Sequence, residues 1–344
     1  MTDGAMVSII ILNYNGLAYL KPCLESLSKQ TYPNSKIIVC DNDSNDGSVE
    51  FLTKNYPNTT LIKNRGNFGF AKGNNIAIEY ALKQGTDYVF LLNNDTEMEP
   101  DALTKLVETV ETDESFGIVG PLVLDLRDRK TVQEAGMSID KFGFPMQEKG
   151  SGQTVSEAFF VSGCAMLIKT VVLQTVGVFD NEYFMFAEDL DLCWRAQLAG
   201  YKIIVNKASR IYHASGGSIV GGVAKSTHYK TDVKRIFLRE KNTLRTLIKN
   251  YGASNMFKIV PIYVVMLIFE STFWFIIRKP RTGENILKAI LWNLKDLPDS
   301  LRQRAVVQSL RKVGDHEITR NMMPGYLKLS VFRAVGVPDF VNAK

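Results

Sequence analysis

The chain opens on an unbroken apolar run, Val7 to Leu12, as expected of a strand buried on both faces. Leu17, Leu20, Leu24 and Leu27 then recur at helical spacing, and a second strand pattern follows at Lys36 to Cys40. Thr60 to Ile62 offers a third strand, Ala71 to Leu82 a helix, Tyr88 to Leu92 a fourth strand, and Pro100 the first turn of a helix over Asp101 to Val110. Strands separated by helices predict βαβ units, hence an α/β fold with a Rossmann-like, mixed but mostly parallel sheet flanked by helices. Such sheets bind ligands beyond the carboxyl ends of their strands. The polar clusters fall there, because Asn13, Asp41 and Asn93 to Asp95 each directly follow an apolar strand.

From Gly117 the pattern is mixed, with strands predicted at Phe159 to Ile168 and Lys202 to Val205 around a helix at Leu190 to Ala199. Strand signals stop after Lys225. Lys230 to Tyr251 reads as a basic helix, and Phe257 to Ile277 has the length of a membrane span, for which about 20 apolar residues are needed. Glu270 and Pro261 interrupt that run, so a half-immersed interfacial segment is the expectation and a single crossing the alternative. The division predicted is an α/β domain over 1–225 and a helical, basic, membrane-associating region over 226–344.

Charge sharpens this division. Residues 1–225 hold 20 Lys and Arg against 27 Asp and Glu, and residues 226–344 hold 21 against 9, within an overall charge of +5. A basic tail carrying an apolar run favours an anionic membrane surface over nucleic acid as partner. Cys23, Cys40, Cys164 and Cys193 lie far apart without a CxxC pair, as expected of buried free thiols in a reducing compartment. Met1 to Met6 lacks the basic and apolar regions of a signal peptide, so none is expected.

Five clusters carry candidate chemistry. In Asp41-Asn42-Asp43-Ser44-Asn45-Asp46-Gly47-Ser48 a strand-end carboxylate can accept hydrogen bonds from a base or ribose; equally, Asp46 or Ser48 can cap the next helix. In Asn64 to Asn75 the glycines allow close backbone approach, and Arg65 and Lys72 can meet phosphate. Neither a GxGxxG nor a GxxxxGK[ST] loop occurs there, which removes the usual signatures of dinucleotide binding and NTP hydrolysis. Asn93-Asn94-Asp95 ends a central strand, where Asp95 can hold a hard cation against a diphosphate. Glu188, Asp189 and Asp191 open a helix among Phe184, Phe186, Leu190, Leu192 and Trp194, and carboxylates in such apolar surroundings suggest a site wall. Asp191 and Arg195, four apart, can pair on the helix. His213 follows a strand pattern before a Gly/Ser loop and is a candidate ligand.

In this order the clusters resemble glycosyltransferase family 2, with its GT-A fold, over roughly residues 5 to 220, and within it the rhamnosyltransferase-like and galactofuranosyltransferase-like branch. The pieces are Asn13-Tyr14-Asn15-Gly16, the Asp41 cluster, the Asn67 to Asn75 loop, Asn93-Asn94-Asp95, Glu188-Asp189 and His213. The resemblance implies that Asp41 contacts the donor base, with the main chain near Asn13 beside it, and that Asp43, Asn67, Gly69, Lys72, Asn74 and Asn94 contribute to the donor site. It further implies that Asp95 and His213 ligate Mg²⁺ or Mn²⁺, that Asp189 is the catalytic base, and that Glu188 and Trp194 shape the acceptor side. Asn93 departs from the family's DxD motif, and a neutral amide is the weaker ligand. The implied activity is inverting transfer of a sugar, first of all rhamnose from dTDP-rhamnose, to a glycan or polyprenyl-linked acceptor at the cytoplasmic face of the cell membrane. Arg239-Glu240-Lys241-Asn242 is similar to a segment that follows the catalytic domain in this branch.

The alternatives are the same chemistry with a UDP-sugar, and a non-catalytic sugar-nucleotide or glycan-binding protein, which Asn93 alone favours. A processive synthase would carry Gln-x-x-Arg-Trp, which Cys193-Trp194-Arg195-Ala196-Gln197 does not match. Homodimerisation through the C-terminal helices is the alternative to membrane association.

Overall fold

The computed structural model describes residues 4–147, 152–214, 230–231, 233–336 and 339–340. The first half follows the predicted alternation: β1 (Val7–Asn13), α1 (Leu17–Leu27), β2 (Ser35–Asp41), α2 (Ser48–Asn55), β3 (Thr60–Lys63), α3 (Gly69–Lys83), β4 (Tyr88–Asn93), β5 (Thr96–Met98) and α4 (Ala102–Glu111). There follow β6 (Phe116–Asp125), β7 (Val132–Glu134), β8 (Met137–Ile139), β9 (Pro145–Gln147), β10 (Val155–Glu157), β11 (Ala165–Lys169), α5 (Thr170–Val176), α6 (Glu188–Leu198) and β12 (Lys202–His213). The central sheet runs β10-β12-β6-β11-β4-β1-β2-β3, with β5 added to β12 and β7 to β6. Strands β3, β2, β1 and β4 are mutually parallel, as βαβ connections dictate, and β11 runs antiparallel between β4 and β6. Apolar residues such as Ile9, Ile10, Val39, Phe90 and Leu91 are buried on both faces of the sheet.

The strand expected from Phe159 starts only at Ala165. Phe160 instead bridges to Met137, and residues 161–164 form a connection that carries Ser162 and Gly163 toward α6. A continuous apolar run does not separate strand from buried loop, and here the loop is buried.

The C-terminal region holds α7 (Val233–Asn250), α8 (Ala253–Ile276), α9 (Pro280–Lys295), α10 (Leu297–Ser309), α11 (Asp315–Arg320) and α12 (Leu327–Val335), and, against the expectation of no strand after Lys225, a short parallel pairing of Lys230–Thr231 with Asp339–Phe340 that two residues apiece are too short to announce in sequence. It shares one apolar core with a face of the sheet, since Tyr251, Tyr263, Leu267, Trp274 and Ile290 belong to the same buried cluster as Ile10 and Trp194. Helix α8 continues through Pro261, and its 24 residues are long and apolar enough to cross a membrane. Its faces differ. Tyr263, Leu267, Ser271 and Trp274, at helical spacing, are buried, while Phe257, Ile262, Val265, Phe269 and Ile276 are exposed.

Candidate active site

Strand ends β1, β2 and β4 gather the first group of polar residues. Asn13 is fully buried; its Nδ2 donates to Asp41 Oδ1 at 2.8 Å and Ser44 Oγ at 3.1 Å, and its Oδ1 accepts from Asn94 Nδ2 at 2.7 Å. Asp41 also accepts from the Ser44 amide at 2.9 Å and hydroxyl at 2.7 Å. These buried groups therefore spend most of their hydrogen-bonding capacity on shaping the loop. Asp43, exposed and in the left-handed region at φ 68°, is the carboxylate of the cluster that projects outward. Asp46 ties two helices together, accepting from the Leu17 amide that opens α1 and from the Ser48 amide and hydroxyl of α2.

The Gly/Asn loop is similarly organised. Asn67 Oδ1 accepts from the Gly69 amide at 2.9 Å. Gly69 has φ 77°, and a Cβ there would run into the Phe184 carbonyl, so side chains are excluded on two counts. Lys72 is exposed, its ammonium 4.6 Å from the centre of the Phe68 ring. Asn74 differs from expectation: it is buried and its amide donates back to the Phe70 carbonyl at 3.0 Å, a bond within its own helix turn.

The pairing of β5 with the end of β12 sets Thr96 opposite His213 and so brings Asp95 to the imidazole. His213 Nε2 lies 3.1 Å from Asp95 Oδ1 and 3.5 Å from Asn93 Nδ2. On the other side, His213 Nδ1 is 3.1 Å from Gln133 Oε1. The Gln133 amide nitrogen is committed to Asp125 Oδ2 at 3.1 Å and to the His213 carbonyl at 3.0 Å. Its oxygen must therefore face the ring, which fixes the proton on Nδ1 and leaves Nε2 directed at Asp95. Burial disfavours the imidazolium, but Cys164 and Asp95 outweigh it and hold His213 up, at about 11.

At their present spacing, a hydrogen-bond distance, Asp95 and His213 can also bridge one divalent ion. Two ligands at right angles around an ion bound at ~2.1 Å sit about 3 Å apart, which is the Asp95–His213 spacing of 3.1 Å. A half-turn of the Asn93 amide would present its oxygen to the same point. Among the described residues no group of three or more His, Cys, Asp or Glu forms a metal cluster. A hard cation held by one or two protein groups and completed by substrate phosphates needs no such group.

The acidic helix start is the third part. Phe186 and Ala187 both have positive φ, 76° and 63°, an uncommon backbone for side-chain-bearing residues, immediately before α6. The turn presents Asp189 to the loop before β11, where its Oδ2 accepts from the Gly163 amide at 3.2 Å. Burial raises the carboxyls of both Asp189 and Glu188, and Asp189 pushes Glu188 further up. Glu188 Oε2 is buried without a hydrogen-bond partner. Asp191 points the other way and pairs with Arg195 at 2.9 Å, as its spacing predicts.

Trp194 is a correction. It is fully buried between Phe159 and Tyr251, edge-on to both at 5.4 and 4.9 Å, and does not reach the cavity beside Asp189. The helical period sets it on the core face of α6, about 120–140° around the axis from Glu188 and Asp189 and on the same side as the buried Asp191. All four cysteines are free and buried, as expected.

Three residues join the site that were not among the expected site residues, and of these only Asn242 stood in a segment the resemblance marked. Gln133 is one. Glu134, beside it, accepts from the Ser162 amide at 2.8 Å and lines the same cavity as Asn93, Glu188, Asp189 and His213. Asn242 of α7 donates to the carbonyls of Met185 and Phe186.

Residues 8–177 match the profile described as Glycosyl transferase family 2. The chain is 24% identical over 269 residues to the N-acetylglucosaminyl-diphospho-decaprenol L-rhamnosyltransferase of Mycobacterium tuberculosis, covering 71% of this chain and 86% of that protein. It is 29% identical over 217 residues to rhamnosyltransferase WbbL of Escherichia coli K12, covering 58% and 79%. Mannosyltransferase PcManGT from Pyrobaculum calidifontis, solved with GDP-Man and Mn²⁺, has a TM-score of 0.52 at 16% identity over 89% of this chain and 86% of that one. The fold is thus that of the GT-A glycosyltransferases, and the family 2 glycosyltransferase match lies in residues 8–177.

Proposed function

We propose that this glycosyltransferase moves rhamnose from dTDP-rhamnose, with inversion and with a divalent metal, onto a hydroxyl of a lipid-linked glycan at the cytoplasmic membrane surface. The observation that carries the reading is convergence: Asn93, His213, Glu188 and Asp189, from three separate parts of the chain, line one cavity at the carboxyl ends of the strands. The rhamnosyltransferase relatives support the sugar, and the decaprenol-linked substrate in one relative's name supports the acceptor class.

In this reading Asn13, Asp41, Asp43 and Asn94 form the wall at the donor base, and Asn67, Gly69 and Lys72 lie beside the diphosphate. Asp95 and His213, with Asn93, would hold Mg²⁺ or Mn²⁺, which offsets the charge growing on the leaving nucleoside diphosphate. Asp189 takes the proton from the acceptor hydroxyl, and that oxygen attacks the anomeric carbon on the face opposite the diphosphate. One displacement forms the new C–O bond, breaks the old one and inverts the configuration. Burial makes Asp189 a stronger base than a solvated carboxylate, whose pKa is about 3.9. Residues 1–225 act as the catalytic domain. Residues 226–344 rest on the bilayer, with the exposed face of α8 in the interface and basic residues facing anionic lipid, each contributing about 1 kcal/mol.

The test is nucleoside diphosphate release from dTDP-rhamnose and from UDP- and GDP-sugars, with Mg²⁺ or Mn²⁺ and then with EDTA. Release from dTDP-rhamnose that EDTA stops is the expected result. Release from a UDP-sugar alone would replace the donor, and binding of donors with no release even with lipid-linked acceptors would leave a non-catalytic protein.

A further inference from the structure

The cavity of about 910 Å³ that holds Asp189 and His213 extends beyond the reacting groups. Its far end is walled by Met266, Phe269 and Phe273 of α8 and by Leu329, Val331 and Phe332 of α12. Phe269 and Leu329 line the cavity and are also 71% and 40% exposed, so its mouth opens on the apolar face of α8 rather than on polar surface. The charges in the wall compensate one another. Lys328 Nζ lies 2.9 Å from Glu240 Oε1 and 2.5 Å from Glu270 Oε2, and Arg239 also pairs with Glu240. Glu270, the acid that interrupts the apolar run, is thereby neutralised at the channel wall.

A nucleoside-diphosphate sugar has no use for such a passage, because its polar groups would lose water and find no partners. A hydrocarbon chain gains from burial there. We infer that this channel between α8 and α12 takes the hydrocarbon chain of the lipid-linked acceptor, guiding it from the bilayer to Asp189. The inference rests on the proposed acceptor class and adds to it the place where the lipid sits.

The experiment compares geranylgeranyl diphosphate with dimethylallyl diphosphate, which share a head group and differ only in chain. Binding to the full chain is measured below the micellar concentration. Each CH₂ withdrawn from water strengthens binding about fourfold, so the longer chain should bind at least ~10-fold tighter even when only part of it is enclosed. Phe269→Ser combined with Leu329→Gln should remove that preference, and Leu294→Ser, exposed on α9 outside the cavity, should keep it. Nucleotide binding should persist in all three proteins. Equal binding of the two chains, or a double variant that retains the preference, overturns the channel. Palmitate competing as well as the prenyl diphosphate overturns its assignment to the acceptor. If the double variant does not fold, a diazirine-bearing farnesyl diphosphate is used on the wild-type chain. Labelling of α8 and α12 peptides supports the channel, and labelling elsewhere overturns it. Nucleoside diphosphate release is a separate readout: its loss sinks the transfer reaction, while chain-length indifference with release intact sinks only the channel.

Discussion

The side-chain amide of Asn242 donates to the Phe186 carbonyl at 2.7 Å, and the same nitrogen donates to the Met185 carbonyl at 2.9 Å. Phe186 and Ala187 hold strained backbone angles, which cost about 1–3 kcal/mol each and persist only where neighbours enforce them. Helix α7 thus supplies the clamp that keeps the Glu188–Asp189 turn in place. Asn242→Ala should lower kcat about 10-fold or more, while donor KM changes by less than roughly twofold, because in the proposed mechanism the turn serves the acceptor. Steady-state kinetics separate the two constants, and an unchanged kcat would remove Asn242 from this role.

Asp189→Asn keeps the shape of the carboxylate and removes its basicity. Transfer should fall by about 10²-fold or more, with nucleotide affinity unchanged in calorimetry. Retained turnover would move the base elsewhere, first of all to Glu134, which lines the same cavity.

Gln133 touches the ring nitrogen remote from Asp95. Loss of such support for a ligating histidine weakens metal binding about 10–100-fold, and Gln133→Leu should do this to Mn²⁺ measured by EPR titration. Gln133→Glu, which still accepts from Nδ1–H, should bind more tightly than the Leu variant. Equal Mn²⁺ affinity in all three proteins would separate His213 from the metal.

Asp180 accepts from Arg245 Nε at 2.8 Å and Lys249 Nζ at 2.6 Å. Burial opposes its charge, but these two cations outweigh burial and hold it well below the ordinary carboxylate range; Lys249 and Arg195 likewise hold Asp191 down. With folded-state values below the unfolded ~3.9, both acids contribute stability that is full above about pH 5 and lost as pH falls through and below 4. Urea unfolding at pH 7, 5 and 4 should follow that decline. Asp180→Asn should cost about 1–3 kcal/mol at pH 7, because it removes the carboxylate that Arg245 and Lys249 share while Asp296, Asp299 and Asp191 still face them, and should flatten the decline.

Trp194→Ala should destabilise the chain by about 3–5 kcal/mol by opening a cavity. At temperatures where the variant stays folded, acceptor KM should stay near wild type. A selective rise in acceptor KM in a stably folded Trp194→Phe variant would restore Trp194 to the acceptor side.

The parallel half of the sheet was legible because its strands are continuous apolar runs followed by polar residues, as at Leu12-Asn13 and Cys40-Asp41. The side of α6 that Trp194 occupies was not. Aromatic residues around acids look alike whether they line a cavity or fill the core, and only the helical period against actual neighbours separates the two. The inward turn of Asn74 was hidden for a similar reason, because an Asn beside a glycine loop gives no sign that its amide bonds its own helix. Gln133 and Glu134 lie on a three-residue strand, too short for any periodicity. Asn242 stood within a noticed segment, yet its partners lie 56 and 57 residues away in sequence.

The charge contrast that divides the sequence near residue 225 does not divide the buried ion cluster. Asp180 and Asp191 lie before that boundary, and Arg245 and Lys249 after it. A recombinant graft that joined this catalytic half to the tail of a relative would leave two carboxylates facing whatever the foreign helix supplied. The two halves are therefore not interchangeable parts: Asp180 depends on α7 for both of its cations, Asp191 keeps only Arg195 of its own half, and a workable chimera must exchange the acids and the cations together.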